Sequence, residues 1–182
     1  FEGACLSFLH MIRPDNEMLR VGDDFNEGTR YSGLIHASFY AAYLYDNPVL
    51  KGFARKELND FSTFFVLIMT PITFLIFNKP ELPCAPLSDL PLVKYNGSPM
   101  GSMYSRSAWT DKDAVMTYMK IGESYSGNHE HRDAGHFQIY YKGILASDSG
   151  VYQGLKNDSS YGGTTYGSNH YNMYMTKTIA HN

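Results

Sequence analysis

At 182 residues the chain has room for one domain or two small ones, and 43% apolar residues are enough for a core. A net charge of −3 and a pI of about 6.2 exclude a generally basic nucleic-acid binder, though not a local patch for an anionic partner. Two cysteines, Cys5 and Cys84, are too few for a disulfide framework and read as buried free thiols.

Phe1–Ile12 reads as an apolar helix stopped by Arg13-Pro14. Pro14-Asp15-Asn16 is a turn, and Val21–Asn26 a polar loop. A helix rich in Tyr, Ala and Phe is expected from about Glu27 to Tyr45. Asp46-Asn47-Pro48 ends it, and a short helix follows to about Asn59. Phe64–Phe77 is the most apolar run. Its 14 residues, interrupted by Pro71, fall short of the roughly 20 that a membrane span needs. It reads as a buried helix or a helix plus a strand, so no membrane span is expected.

Five prolines between Asn78 and Pro99 mark a linker or irregular crossing. Beyond it the pattern turns to β. Val115–Gly122, His136–Lys142 and Ile144–Ser147 read as strands, with a tight turn at Gly143. Gly154–Gly167 is a Gly/Ser/Asn/Tyr loop and Tyr171–Ala180 a last strand. The division is then a helical segment at 1–80, a Pro-rich linker at 81–99 and a β portion at 100–182, an α+β chain. Fifteen tyrosines suit either a β-sheet or a sugar-binding surface, since Tyr joins a flat apolar body to a polar tip.

The densest chemistry lies between Asn128 and Tyr152. Three of the seven histidines, His129, His131 and His136, fall within eight residues. In an extended strand His129 and His131 would project to the same face, and His136 to the opposite one. Neutral imidazole is a common metal ligand and a good acid or base near neutral pH. On the residues alone, Asn128 after Gly127 serves equally as a turn cap. Lys142 and Arg132 suit sulfate or carboxylate groups, or solvent. His10, His36 and His170 have no partners in sequence.

This stretch resembles the heparinase II/III-like polysaccharide lyases, closest to the heparinase II branch. The resemblance rests on Asn128-His129-x-His131-x-Asp133-Ala134-Gly135-x-Phe137-Gln138-Ile139-Tyr140-Tyr141-Lys142-Gly143, then Leu145-Ala146-x-Asp148-Ser149-Gly150-x-Tyr152, then Ile179-Ala180-His181-Asn182. It is strong over about Val115–Tyr152 and matches the helical part in character only. It implies the C-terminal end of an α/α toroid followed by the beginning of an antiparallel β-sandwich. It also implies a periplasmic or secreted enzyme acting on an acidic polysaccharide, with an oligomer compatible. A chain that starts at Phe1 and ends within the motif is then expected to be a piece of a longer enzyme, any signal peptide lying upstream.

The implied reaction is β-elimination at a uronic acid of a heparin- or heparan-sulfate-like glycosaminoglycan. A base removes the C5 proton, and the bond from C4 to the bridging oxygen breaks. Donors must neutralise the carboxylate as the enolate-like transition state forms. By resemblance, Asn128 and His129 are the catalytic pair at the uronate, and Tyr152 touches substrate. His131, Asp148 and His181 form a structural zinc set, two imidazoles and a carboxylate with one position left open. The family's acid–base Tyr and a second essential His come from earlier toroid helices, and this chain has no convincing match for that His. Alternatives are a lyase on alginate, ulvan or chondroitin, a zinc-stabilised carbohydrate-binding module without chemistry, and a zinc hydrolase. The hydrolase is weakened by the lack of a His-Glu-x-x-His motif.

Overall fold

The computed structural model describes residues 1–21, 32–60, 71, 83–122 and 131–147, the side chains of 32–36 and 58–60 excepted. The chain is α+β and divides into two compact units, one of residues 1–11 and 30–91 and the other of residues 12–29 and 92–182. Among the described residues no helix is long and apolar enough to cross a membrane.

Among the described residues the first unit holds the helices α1 (Glu2–Leu9), α2 (Ser32–Tyr45) and α3 (Pro48–Asp60) and a 3₁₀ turn, Leu87–Asp89. Each boundary has a local cause. Asp46 adopts a left-handed backbone, φ 50°, directly after α2. Asn47 then caps α3: its Oδ1 accepts from the backbone N–H of Val49 and of Leu50, both at 3.0 Å. Pro48 follows at the first helical position, where its missing N–H costs nothing. The same Asn47 donates through Nδ2 to Glu2 at 2.8 Å, tying the start of α1 to the start of α3. Val49, Leu50, Phe53 and Ala54 recur at helical spacing and are buried with Leu9, Phe39, Ala41 and Ala42. The Cys5 thiol donates to the Ala37 carbonyl at 3.6 Å, and burial raises its pKa. Cys84, expected to be buried, is exposed in an extended stretch with no apolar run to draw it inward.

The second unit is built on a five-stranded antiparallel sheet in sequential order: β1 (Val93–Asn96), β2 (Ser102–Arg106), β3 (Met116–Lys120), β4 (Phe137–Tyr140) and β5 (Ile144–Ala146). The first two strands lie where the sequence reading expected linker and undefined chain. Four residues of β1 between Pro91 and Pro99 are enough to pair, because neither proline interrupts the ladder from Val93 to Asn96. The β4–β5 turn forms as expected, with Lys142 at φ 54° and Gly143 at φ 155°. At the other end Gly101, φ 50°, lies so close to the Gly122 backbone that a side chain would collide with it.

Alternation along the strands gives the sheet two different faces. Tyr95, Met103, Met119 and Phe137 lie side by side across β1–β4, and Tyr95, Met119 and Phe137 are exposed. The opposite face is buried and unusually polar: Ser102, Tyr104 and Arg106 on β2, Tyr118 and Lys120 on β3, Gln138 and Tyr140 on β4. Residues 12–21 belong to this unit. Arg13 and Glu17 close a tight hairpin at 2.7 Å, and Asn16 in its turn has φ 66°. Arg106 donates to the Ile12 carbonyl at 2.6 Å and stacks 3.7 Å from the Trp109 ring centroid. Burial lowers its pKa to about 10, which leaves it charged at neutral pH.

Candidate functional site

Of the residues singled out in the sequence, His131 lies among those described. Asn128, His129, Asp148, Tyr152 and His181 lie outside them. His131 is buried, 7% exposed, and begins the described stretch, residues 131–136, that leads into β4. This connection is a turn rather than a strand: the His136 N–H donates to the Asp133 carbonyl at 2.8 Å, and Gly135 has φ 95°. The same-face and opposite-face relations expected of a continuous strand therefore do not apply from His131 to His136. Asp133-Ala134-Gly135 turns the chain before the ladder begins at Phe137.

The turn is seated on the end of β3, and Lys120 is its seat. The Lys120 ammonium pairs with the Asp133 carboxylate and also donates to the His131 carbonyl at 3.1 Å. The Lys120 backbone contributes too. Its N–H donates to the His136 carbonyl at 2.8 Å, and its carbonyl accepts from the Gly135 N–H at 2.7 Å. Lys120 and Asp133 are both largely buried, with side chains 13% and 3% exposed.

His136 continues the buried face. It meets the Tyr118 ring edge-on at 6.1 Å, and its Nε2 lies 3.1 Å from Gln138 Nε2. The amide nitrogen can only donate, so His136 Nε2 is the acceptor of this pair. Gln138 also donates to the Arg20 carbonyl, while its Oε1 accepts from the Arg20 N–H at 3.2 Å. One buried amide thus satisfies both backbone groups of Arg20 as a neighbouring strand would. Nearby, Asp15 takes two hydrogen bonds from Arg13, at 3.0 and 2.8 Å, and one from the Glu17 N–H. Burial alone would raise the Asp15 pKa, but these donors together hold it below the ordinary range. Burial first, then the Asp15 charge, raises the Tyr140 hydroxyl. Lys142 is exposed and pairs with Asp113 at 3.2 Å.

Lys120 and Asp133 received no role from the sequence. A signal was present for each. Lys120 continues the inward alternation of Met116 and Tyr118, so a charge falls on a core position. Asp133 sits two residues from His131.

Chemically, the described part of the site offers two buried imidazoles, His131 and His136, at the two ends of a pinned turn, next to a cation and a carboxylate already committed to each other. Among the described residues no three metal-ligating side chains come together.

Neither the protein-family models nor the curated proteins gave a match to this chain. Solved structures did. A heparan sulfate lyase, HepC, from Pedobacter heparinus is similar with a TM-score of 0.52 and 17% identity, over 88% of this chain and 20% of its own. A heparinase III with methylated lysines is similar with a TM-score of 0.54 and 16% identity, over 100% of this chain and 22% of its own. The chain spans about a fifth of the length of each. At this identity the likeness is one of fold: the chain folds like part of a heparinase III.

Proposed function

We propose that this chain is part of a polysaccharide lyase that cleaves a uronic-acid glycosaminoglycan of the heparin or heparan sulfate kind by β-elimination. The observation that carries the reading is a coincidence of two independent signals. The fold likeness is to heparan sulfate lyase and heparinase III structures. The stretch that bears the lyase-like motif enters the sheet through a buried, pinned turn at His131.

In this reading the helical unit is the end of an α/α toroid and the sheet the beginning of a β-sandwich. The apolar row Tyr95–Met103–Met119–Phe137, exposed at all but Met103, is the kind of face that a second sheet covers. The motif assigns the chain to the heparinase II branch, within a longer, periplasmic or secreted enzyme.

Asn128 donates to the substrate carboxylate and His129 neutralises it or exchanges a proton, while Tyr152 stacks on or hydrogen-bonds the sugar. The C5 proton leaves to a base, the C4–O bond breaks, and the departing oxygen takes a proton. The products are an unsaturated uronate and a new reducing end. The donor set His131, Asp148 and His181 fits zinc by its chemistry, and the buried imidazole of His131 suits that role. Bound there, zinc would supply a structural tie within the site rather than the proton.

The test is product analysis with the full-length protein and heparan sulfate. Ultraviolet absorbance of an unsaturated uronate, rising with the reducing ends, is expected. Reducing ends without that absorbance mean hydrolysis and overturn the lyase reading. Binding without either product leaves a carbohydrate-binding module.

A further inference from the structure

We propose that Lys120 and Asp133 act as a clamp that sets the position of His131, which makes both of them positioning residues for the zinc site. The inference rests on the zinc reading above. It goes beyond it by assigning a function to two residues outside the ligand set.

The geometry is specific. One ammonium meets two acceptors on the same turn, the Asp133 carboxylate and the His131 carbonyl, at 3.1 Å for the latter. The backbone of the same lysine holds the other end of the turn, at Gly135 and His136, with bonds of 2.7 and 2.8 Å. A single residue at the end of β3 therefore fixes the turn from its first position to its last.

A buried ion pair is a poor device for stability alone, because desolvation of both charges offsets most of their attraction. An apolar pair of the same volume would hold the turn against the sheet about as well. An apolar pair cannot bind the His131 carbonyl. Binding that carbonyl fixes the peptide plane at His131, and with it the direction from which the imidazole leaves the chain. Groups that orient a metal ligand in this indirect way are typically worth about 10–100-fold in metal affinity.

The experiment compares zinc-loaded variants of the full-length protein. Each single change breaks the buried Lys120–Asp133 ion pair and is expected to lower the melting temperature. The double variant Lys120→Met/Asp133→Leu removes both charges and is expected to melt near the wild type. A chelator competition then reads zinc affinity, and amide hydrogen exchange reads the turn.

In the double variant the zinc dissociation constant should rise about 10–100-fold. Exchange at 131–136 should quicken while that of β2 stays unchanged. Wild-type affinity and exchange in a double variant of wild-type stability overturn the proposal. Should the double variant fail to fold, Lys120→Met alone gives the reading. The same rise supports the clamp, and an unchanged constant overturns it.

His131→Ala separates the two levels. Zinc retained without the His131 imidazole overturns the zinc reading and the clamp together. Zinc lost in His131→Ala but held at wild-type strength in the Lys120/Asp133 variants overturns the clamp alone.

Discussion

The helical unit and the sheet unit bury a different balance of chemistry. The helical unit buries chiefly Leu9, Phe39, Ala41, Ala42, Leu50, Phe53 and Ala54, groups whose value is the water they exclude, with Ser7, His10, Ser38, Lys51 and Glu57 as its polar minority. The inner face of the sheet buries Ser102, Tyr104, Arg106, Tyr118, Gln138 and Tyr140, with His131, Asp133 and His136 beside it. Each of these polar groups loses hydration on burial and must recover it from a partner. Apolar packing tolerates small shifts, whereas a hydrogen-bonded network specifies positions. The contrast teaches that apolar packing leads in the helical unit while position-setting hydrogen bonds lead on the inner face of the sheet, the side on which the proposed site would stand.

Substitutions can break or sharpen that contrast. The largest expected loss is on the helical side. Phe39 is fully buried, and Phe39→Ala should cost about 3–5 kcal/mol through lost contacts and the cavity left behind. If the two regions differ as described, folded Phe39→Ala protein keeps its metal content, read by elemental analysis after purification at low temperature. Loss of metal from the folded variant would mean that the helical core also sets the site.

On the sheet side the expected energies are smaller and more local. Gln138→Leu removes the amide that satisfies Arg20, leaving two buried backbone groups without it. A cost of about 1–3 kcal/mol is expected. Amide exchange should quicken at Arg20 while α3 is unaffected. Equal changes in both places would erase the distinction.

The smallest effect is in the acid limb of stability. The Asp15 carboxyl is held below its ordinary range in the folded state, so folding favours its charged form. Its contribution is therefore present above its unfolded pKa of about 3.9 and is lost as pH falls through the lower folded value. The group is partly open to solvent, which keeps the effect modest. Acid titrations of the wild type and Asp15→Asn should converge below that window and separate above it. Parallel curves throughout would contradict the assignment.

Much of the helical side was legible because its signals are local. The break at Asp46-Asn47-Pro48 and the helix beyond it follow from residues within a few positions, as does the Pro14-Asp15-Asn16 turn of the sheet unit. The α+β order and the Gly143 turn were legible for the same reason. Strands β1 and β2 were not: a four-residue strand between prolines carries too little alternation to stand out, and Ser102–Arg106 mixes polar residues on both faces. The buried state of Cys84 was expected from residue type and failed on context. The residues 12–21 pair with the sheet through Ile12, Arg13 and Arg20, contacts of high sequence separation that no local pattern announces. At the site, the motif pointed to His131. The strand geometry assumed between His131 and His136 was replaced by a turn, because Gly135 takes a backbone conformation open chiefly to glycine. Lys120 escaped notice because its partners are 11 and 13 residues away.

The claim that the polar side of the sheet unit serves chemistry is tested most directly by one paired comparison in the full-length protein: activity, zinc content and thermal melt of His129→Ala against His131→Ala. His129→Ala should lose about 10²–10³ in rate, the loss typical of a transition-state contact, with fold and zinc nearly intact. His131→Ala should shed zinc and melt early. The reverse pattern would exchange the two assignments, and full activity in both variants would contradict the claim.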